Sequence, residues 1–237
     1  MKERVQKIIS AAGLCSRRRA EEWIVQGKVT VNGGLARLGD TADPETDEIR
    51  VDGQPLPAAP TRSTTVLLYK PRGYVTTLSD ERSRRTVAEL LPPALGRLYP
   101  VGRLDQFSEG LLLMTNDGAL ANRLTHPSGE VRKTYRLWVS GWRDEALALL
   151  RRPIVLDGRN IQAPEVRLMW RRDGTALLEI TIHEGRNRQI RRMAEAAGLK
   201  TTRLQRIAEG PISLGDLKPG EWRELSEAEL DKLIIQS

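Results

Sequence analysis

The sequence predicts an α+β protein: a small N-terminal α/β unit linked to a larger unit with a mixed, mainly antiparallel sheet flanked by helices. Three observations carry that prediction. Residues 55–64 (PLPAAPTRST) hold three prolines and little to bury, so they read as a linker dividing the 237 residues into 1–60 and 61–237. Beyond the linker, strand-length apolar runs and helical periods alternate irregularly, which argues against repeated βαβ units. Composition is that of a globular chain, 39% hydrophobic and 29% charged, with a single Phe, so Leu, Val and Ile must fill the core.

The elements follow in order. Val5, Ile8, Ile9 and Ala12 mark one face of a short helix that Gly13 ends. Ser16 caps a second helix over 17–26, with Gly27 just past its end. Val29-Thr30-Val31 alternates as a strand into an Asn32-Gly33 turn, and Ile49-Arg50-Val51 forms a further short strand. In the larger unit, 66–69, 110–115, 135–139 and 177–182 read as strands. Residues 86–91, 119–124, 144–150 and 188–197 read as helices. Ser226 with Glu229 opens a final helix through a capping box.

Charge narrows the function. The net charge is +7 and the pI near 9.8, which suits a polyanionic partner, nucleic acid first. Cys15 is the only cysteine, so no internal disulfide can form, and a lone thiol fits a reducing compartment. The first residues lack a signal peptide's apolar core, and no run approaches the roughly 20 apolar residues of a membrane span. A cytoplasmic protein is expected, monomeric and off the membrane.

The basic charge is sorted. Residues 1–39 are rich in Lys and Arg, whereas the acidic side chains of this unit gather in 40–60. Arg17, Arg18 and Arg19 sit in the first turn of a helix, where positive charge opposes the helix dipole. A phosphate at that helix start would offset the repulsion, because backbone N–H groups and arginines both point at it.

The most informative stretch is Gly102-Arg103-Leu104-Asp105, followed by Ser108-Glu109-Gly110 and an apolar strand. Two glycines bracket a loop that carries Arg103, Asp105 and Glu109, and loops braced by a strand often hold catalytic groups. By pattern alone, Asp105 beside Arg103 is either a structural ion pair or a functional carboxylate.

These residues resemble two families. Ser16-Arg17-Arg18 with Ala20-Glu21, then Gly27-Lys28-Val29 with Asn32-Gly33, resembles the ribosomal-protein S-four type RNA-binding domain over about residues 3–50. The resemblance implies RNA contacts by Arg17, Arg18, Arg19, Lys28 and Asn32. Gly102-Arg103-Leu104-Asp105 with Ser108-Glu109-Gly110-Leu111-Leu112 is similar to the signature loop of the pseudouridine synthases. Lys70-Pro71-Arg72-Gly73, Lys133-Thr134-Tyr135 and the run from Glu184 to Met193 agree with further motifs, in the form of the RsuA-type branch. Together the two likenesses span nearly the whole chain.

The second resemblance implies a site-specific isomerisation of uridine to pseudouridine in ribosomal RNA, with RluB-like members pointing to the large subunit (23S). Uracil is detached from its ribose, rotated and rejoined through C5. Nothing is oxidised and no group is imported, so no cofactor and no metal are expected. The resemblance makes Asp105 the essential carboxylate, nucleophile at C1′ or base at C2′. It places Tyr135 against the flipped base and pairs a basic residue of the third motif with the Asp. That residue is Arg191, with Arg186 second. Lys70, Arg103, Arg186, Arg188 and Arg192 are expected on the RNA, with Lys133 a weaker contact. Glu109 is expected to hold Arg103, and Phe107 to anchor packing. One alternative is a non-catalytic RNA-binding or ribosome-assembly factor. A glycosidase is another, but it needs two carboxylates at a defined separation, and the second one here, Glu109, shares a loop with Asp105.

Overall fold

The computed structural model describes residues 1–58, 62–126 and 131–235. They form two compact units, Met1–Ser63 and Thr64–Ser237. Residues 59–61 of the expected linker lie outside the described residues.

In the first unit, helix α1 (Val5–Ala11) and helix α2 (Arg17–Val25) pack together. Strands β1 (Val29–Val31), β2 (Gly34–Leu35), β3 (Ile49–Val51) and β4 (Gln54–Pro55) form an antiparallel sheet in the order β2-β1-β3-β4. Val5, Ile9, Ala20, Ile24, Val29 and Ile49 fill the core between them. The β1–β2 turn has positive φ at both Asn32 (50°) and Gly33 (79°), the twist a two-residue hairpin requires. Asn32 also uses its amide locally. Its Nδ2 donates to Asp47 at 2.9 Å and its Oδ1 accepts from the Glu48 N–H at 2.8 Å. Asn32 thus fixes the turn while its side chain stays exposed.

The second unit is organised by one nine-stranded sheet. Its strands, in chain order, are β5 (Thr65–Lys70), β6 (Tyr99–Val101), β7 (Glu109–Thr115), β8 (Lys133–Ser140), β9 (Glu165–Arg172), β10 (Thr175–Ile182), β11 (Lys200–Glu209), β12 (Ile212–Ser213) and β13 (Trp222–Glu224). The main path runs β9-β10-β8-β11-β7-β5-β13, with β6 on β7 and β12 on β11. Every pair is antiparallel except β11 with β7. Helices α3 (Gly118–Thr125), α4 (Glu145–Leu150), α5 (Gln189–Ala196) and α6 (Glu227–Ile235) flank it.

Strands β5 and β7 are buried at every residue, because each feeds two cores. Leu68, Leu112 and Met114 join Leu137, Ile190 and Met193 on the face covered by α5. Leu67, Leu111 and Leu113 join Leu120, Leu124 and Leu233 on the face covered by α3 and α6. The alternation of side chains along a strand produces this division.

The helix expected over 86–91 is a single 3-10 turn, Val87–Leu90, capped by Thr86 and Glu89. Pro92 and Pro93 follow at once and forbid its continuation. No helix among the described residues is long and apolar enough to cross a membrane.

Candidate active site

Asp105 opens a four-residue turn closed by the Ser108 N–H donating to the Asp105 carbonyl at 3.0 Å. Three buried or half-buried side chains hold this turn through its backbone. Lys70, at the end of β5, donates from Nζ to the carbonyls of Ser108 (2.7 Å), Pro71 (3.0 Å) and Gln106 (3.4 Å). Arg191, on α5, donates from Nη2 to the Phe107 carbonyl at 2.9 Å. Thr76 Oγ1 donates to the Leu104 carbonyl at 2.7 Å. A turn that bears a carboxylate is thus pinned on three sides by donors that never touch the carboxylate itself.

Among the described residues, no hydrogen bond or ion pair within 4 Å reaches the half-buried Asp105 carboxylate. Its charge is nonetheless felt by the groups around it. Burial pushes Lys70 down to about 8, with Asp105 the strongest charge opposing that fall. Burial and Arg188 lower Arg191, and again Asp105 opposes. The expected ion pair between Asp105 and Arg191 is therefore not a contact pair. The Arg191 terminus is taken up by Phe107 and by Ser108 Oγ at 3.4 Å. Arg186, the second choice, binds Glu184 at 2.8 Å.

The carboxylate lies at a cavity of about 330 Å³, within the usual range for ligand pockets of about 300–1,000 Å³. Tyr135, Arg103, Arg186, Arg188 and Gln189 share its lining. Arg188 enters α5 from the left-handed region (φ 51°), a conformation that costs a non-glycine residue about 1–3 kcal/mol.

Beneath Tyr135 lies a charged group the sequence did not signal. Arg206, on β11, is 2% exposed and pairs with Glu209 at 3.3 Å, while its Nε donates to the Leu111 carbonyl at 2.7 Å. Burial pushes the Tyr135 hydroxyl above its ordinary value, and the adjacent Arg206 guanidinium limits the rise. Tyr135 is consequently a neutral phenol at physiological pH. Burial alone would lower Arg206, but Glu209 and Tyr135 overcome it. Arg206 Nη2 and Glu209 Oε2 meet only each other, in that ion pair, and the buried Gln189 Nε2 makes no hydrogen bond within the described protein. Leaving a buried polar atom unpaired costs about 1–3 kcal/mol, so this lining favours a polar occupant.

Gly110 explains how β11 reaches the turn. With φ at 103°, a Cβ there would lie 2.2 Å from the Arg206 carbonyl oxygen. Only glycine permits the parallel contact of Arg206 with Gly110, and that contact delivers Arg206 to the cavity floor.

Other expected contacts divide. Arg103 is exposed and lines the cavity. Lys70, expected on a phosphate, is 0% exposed and instead organises the turn. Lys133 is half-buried and spends its ammonium on the Val131 carbonyl (3.0 Å) and Glu209 (3.9 Å). Arg192 does not line the cavity and holds Asp157 with both terminal nitrogens. Glu109 binds Arg203 and Tyr69, not Arg103. In the first unit, Arg17, Arg18 and Arg19 are exposed beside the Ser16 cap, and Arg19 pairs with Glu22 at 2.5 Å. Lys28 lies 3.8 Å from Asp52.

Comparison with known proteins bears on both units. Residues 64–196 match the model of the RNA pseudouridylate synthase family, and residues 3–49 match that of the S4 domain. An RNA pseudouridine synthase of Aquifex aeolicus, not further characterised, is 43% identical over 99% of this chain and 94% of its own. The ribosomal large subunit pseudouridine synthase B of Bacillus subtilis is 40% identical over 98% of this chain and 95% of its own. A crystal structure of a pseudouridylate synthase superposes with a TM-score of 0.69 at 29% identity, covering 97% of this chain and 99% of that one.

Proposed function

The chain belongs to the RNA pseudouridylate synthase family, and from that premise we propose that it isomerises one uridine of large-subunit ribosomal RNA to pseudouridine, with Asp105 as the essential carboxylate. It does so in the cytoplasm, as a monomer, with the S4 domain as an RNA-binding arm. The observation that carries this reading is the Asp105 turn: a carboxylate at the edge of a polar-lined cavity, held by its backbone and left with its oxygens unspent.

The reaction breaks the N1–C1′ bond and makes a C5–C1′ bond, and the hydrogen on C5 leaves as a proton. The base must first leave its stack, at a cost of a few kcal/mol. Tyr135 offers the neutral ring that receives it, with Arg206 fixing the hydroxyl from below. Asp105 meets the sugar, at C1′ as a nucleophile or at C2′ as a base. Lys70 and Arg191 hold the turn that presents it through backbone carbonyls, without touching the carboxylate. Arg103, Arg186 and Arg188, around the cavity, grip phosphates.

Tritium release from ribosomal RNA made with 5-tritiated uridine tests the reading, because forming the C5 bond must expel that hydrogen. Release at one site, stoichiometric with RNA, is expected. RNA binding without release from either naked RNA or assembly intermediates would favour the non-catalytic alternative. Deuterium at C2′ separates the two roles of Asp105: a primary isotope effect belongs to the base at C2′, and its absence to the nucleophile at C1′.

A further inference from the structure

The chain's one phenylalanine is not in a core. Phe107 occupies the second corner of the Asp105–Ser108 turn and is 51% exposed. The packing role expected of it is therefore absent. Lys70 and Arg191 hold the carbonyls of Gln106, Phe107 and Ser108, so the turn cannot rotate the ring inward. A guanidinium lies over that ring instead: Arg72 Cζ is 5.8 Å from its centre.

Arg72 is itself exposed, and its Nη1 donates to the Thr202 carbonyl at 3.5 Å. The next residue, Arg203, lies over Trp138 at 4.5 Å and is tied to Glu109, which ends the turn's own loop. Two arginine–aromatic pairs are thus linked to each other and to the turn that carries Asp105. Each combines a flat apolar surface with a positive charge, and Arg72 is close enough to be felt at Arg191.

We propose that Phe107 and Arg72 form a stacking platform for a base of the substrate RNA next to the target uridine. The proposal rests on the RNA-modifying reading and deepens it. Three features commit the platform to RNA. Aromatic and guanidinium planes stack on any base. The charge at the ring, from the exposed Arg72, suits a phosphate backbone. The platform begins two residues from Asp105, so a strand that presents one nucleotide to the carboxylate brings a neighbour to the ring.

The test uses the full chain, a ribosomal RNA fragment, its Kd by fluorescence anisotropy, and kcat and KM by tritium release. Phe107→Ala is expected to raise Kd and KM by about ten-fold, the scale of one lost stacking contact, with the loss falling on KM rather than kcat. Phe107→Trp restores both values, whereas Phe107→Leu does not, because bulk without a π-face cannot stack. Arg72→Lys, which keeps the charge but loses the plane, weakens binding less than Arg72→Ala. Unchanged Kd and KM in Phe107→Ala would overturn the proposal and leave the surface to an acidic protein partner. A full rescue by Leu, or a loss confined to kcat, would overturn it in favour of turn packing. Release by the unsubstituted protein judges the RNA-modifying reading in the same assay, and the ratio of variant to parent Kd judges the platform separately.

Discussion

The two units use positive charge in opposite ways. In the first, Arg17, Arg18 and Arg19 stand in solvent at a helix start, and only Arg19 has an acidic neighbour in contact. In the second, Lys70, Arg191 and Arg206 are buried and direct their donors at backbone carbonyls. Exposed charge attracts a polyanion at long range and is screened by salt. Buried charge fixes a backbone and sets the field at a carboxylate. Exposed Arg103 and Arg188 at the second unit's cavity share the first use, so the buried charges alone mark off the chemistry from the holding of RNA.

The largest disturbance is expected at Gly110. A methyl group there collides with the Arg206 backbone, so Gly110→Ala must part β7 from β11. Overpacking of this kind costs about 1–3 kcal/mol, and the positive φ adds to it. Thermal unfolding should show the loss, and tritium release should fall far more than the lost stability explains. Parent-like release from a less stable variant would mean that the cavity does not depend on this parallel contact.

A smaller effect is expected from pH. Lys70 is held at about 8, so its charge is lost as pH rises through that value, and activity should decline with it. Stability should not decline in step. A lysine whose pKa falls on folding binds its proton more tightly in the unfolded chain. Between about 8 and its ordinary value of 10.5, deprotonation therefore favours the folded state. Measured together, kcat and the unfolding midpoint should move in opposite directions across that window. A parallel fall in both would assign the decline to unfolding.

The smallest effect belongs to the first unit. Arg17→Ala with Arg18→Ala should weaken RNA binding and reduce the salt slope by about one for each lost phosphate contact. Release at saturating RNA should persist. An unchanged slope would remove these arginines from the interface.

The same contrast explains what was legible in the sequence. The Asp105 loop and the Ser16 cap were readable because glycines, a capping residue and a following apolar strand are local signals. The burial of Lys70 was not, since its partners are carbonyls contributed by Pro71, Gln106 and Ser108, which no side-chain pattern reports. Strand β11 is illegible for a related reason. Gln205 and Arg206 are buried where alternation leads one to expect apolar residues, so the strand carries no clean period. Arg206 and Glu209, on that strand, carry no local signal either. Phe107 misled because an apolar residue is ordinarily assigned inward, whereas the turn's fixed backbone sends it out.

The role proposed for Asp105 is chemical and not merely structural. The most direct measurement is tritium release and RNA affinity on the same preparation of Asp105→Asn, which keeps the shape of the side chain and removes its charge. Because the carboxylate makes no hydrogen bond or ion pair among the described residues, the substitution should leave the turn and the Kd intact and abolish release. Persisting release, or a Kd that collapses together with the unfolding midpoint, would contradict that role.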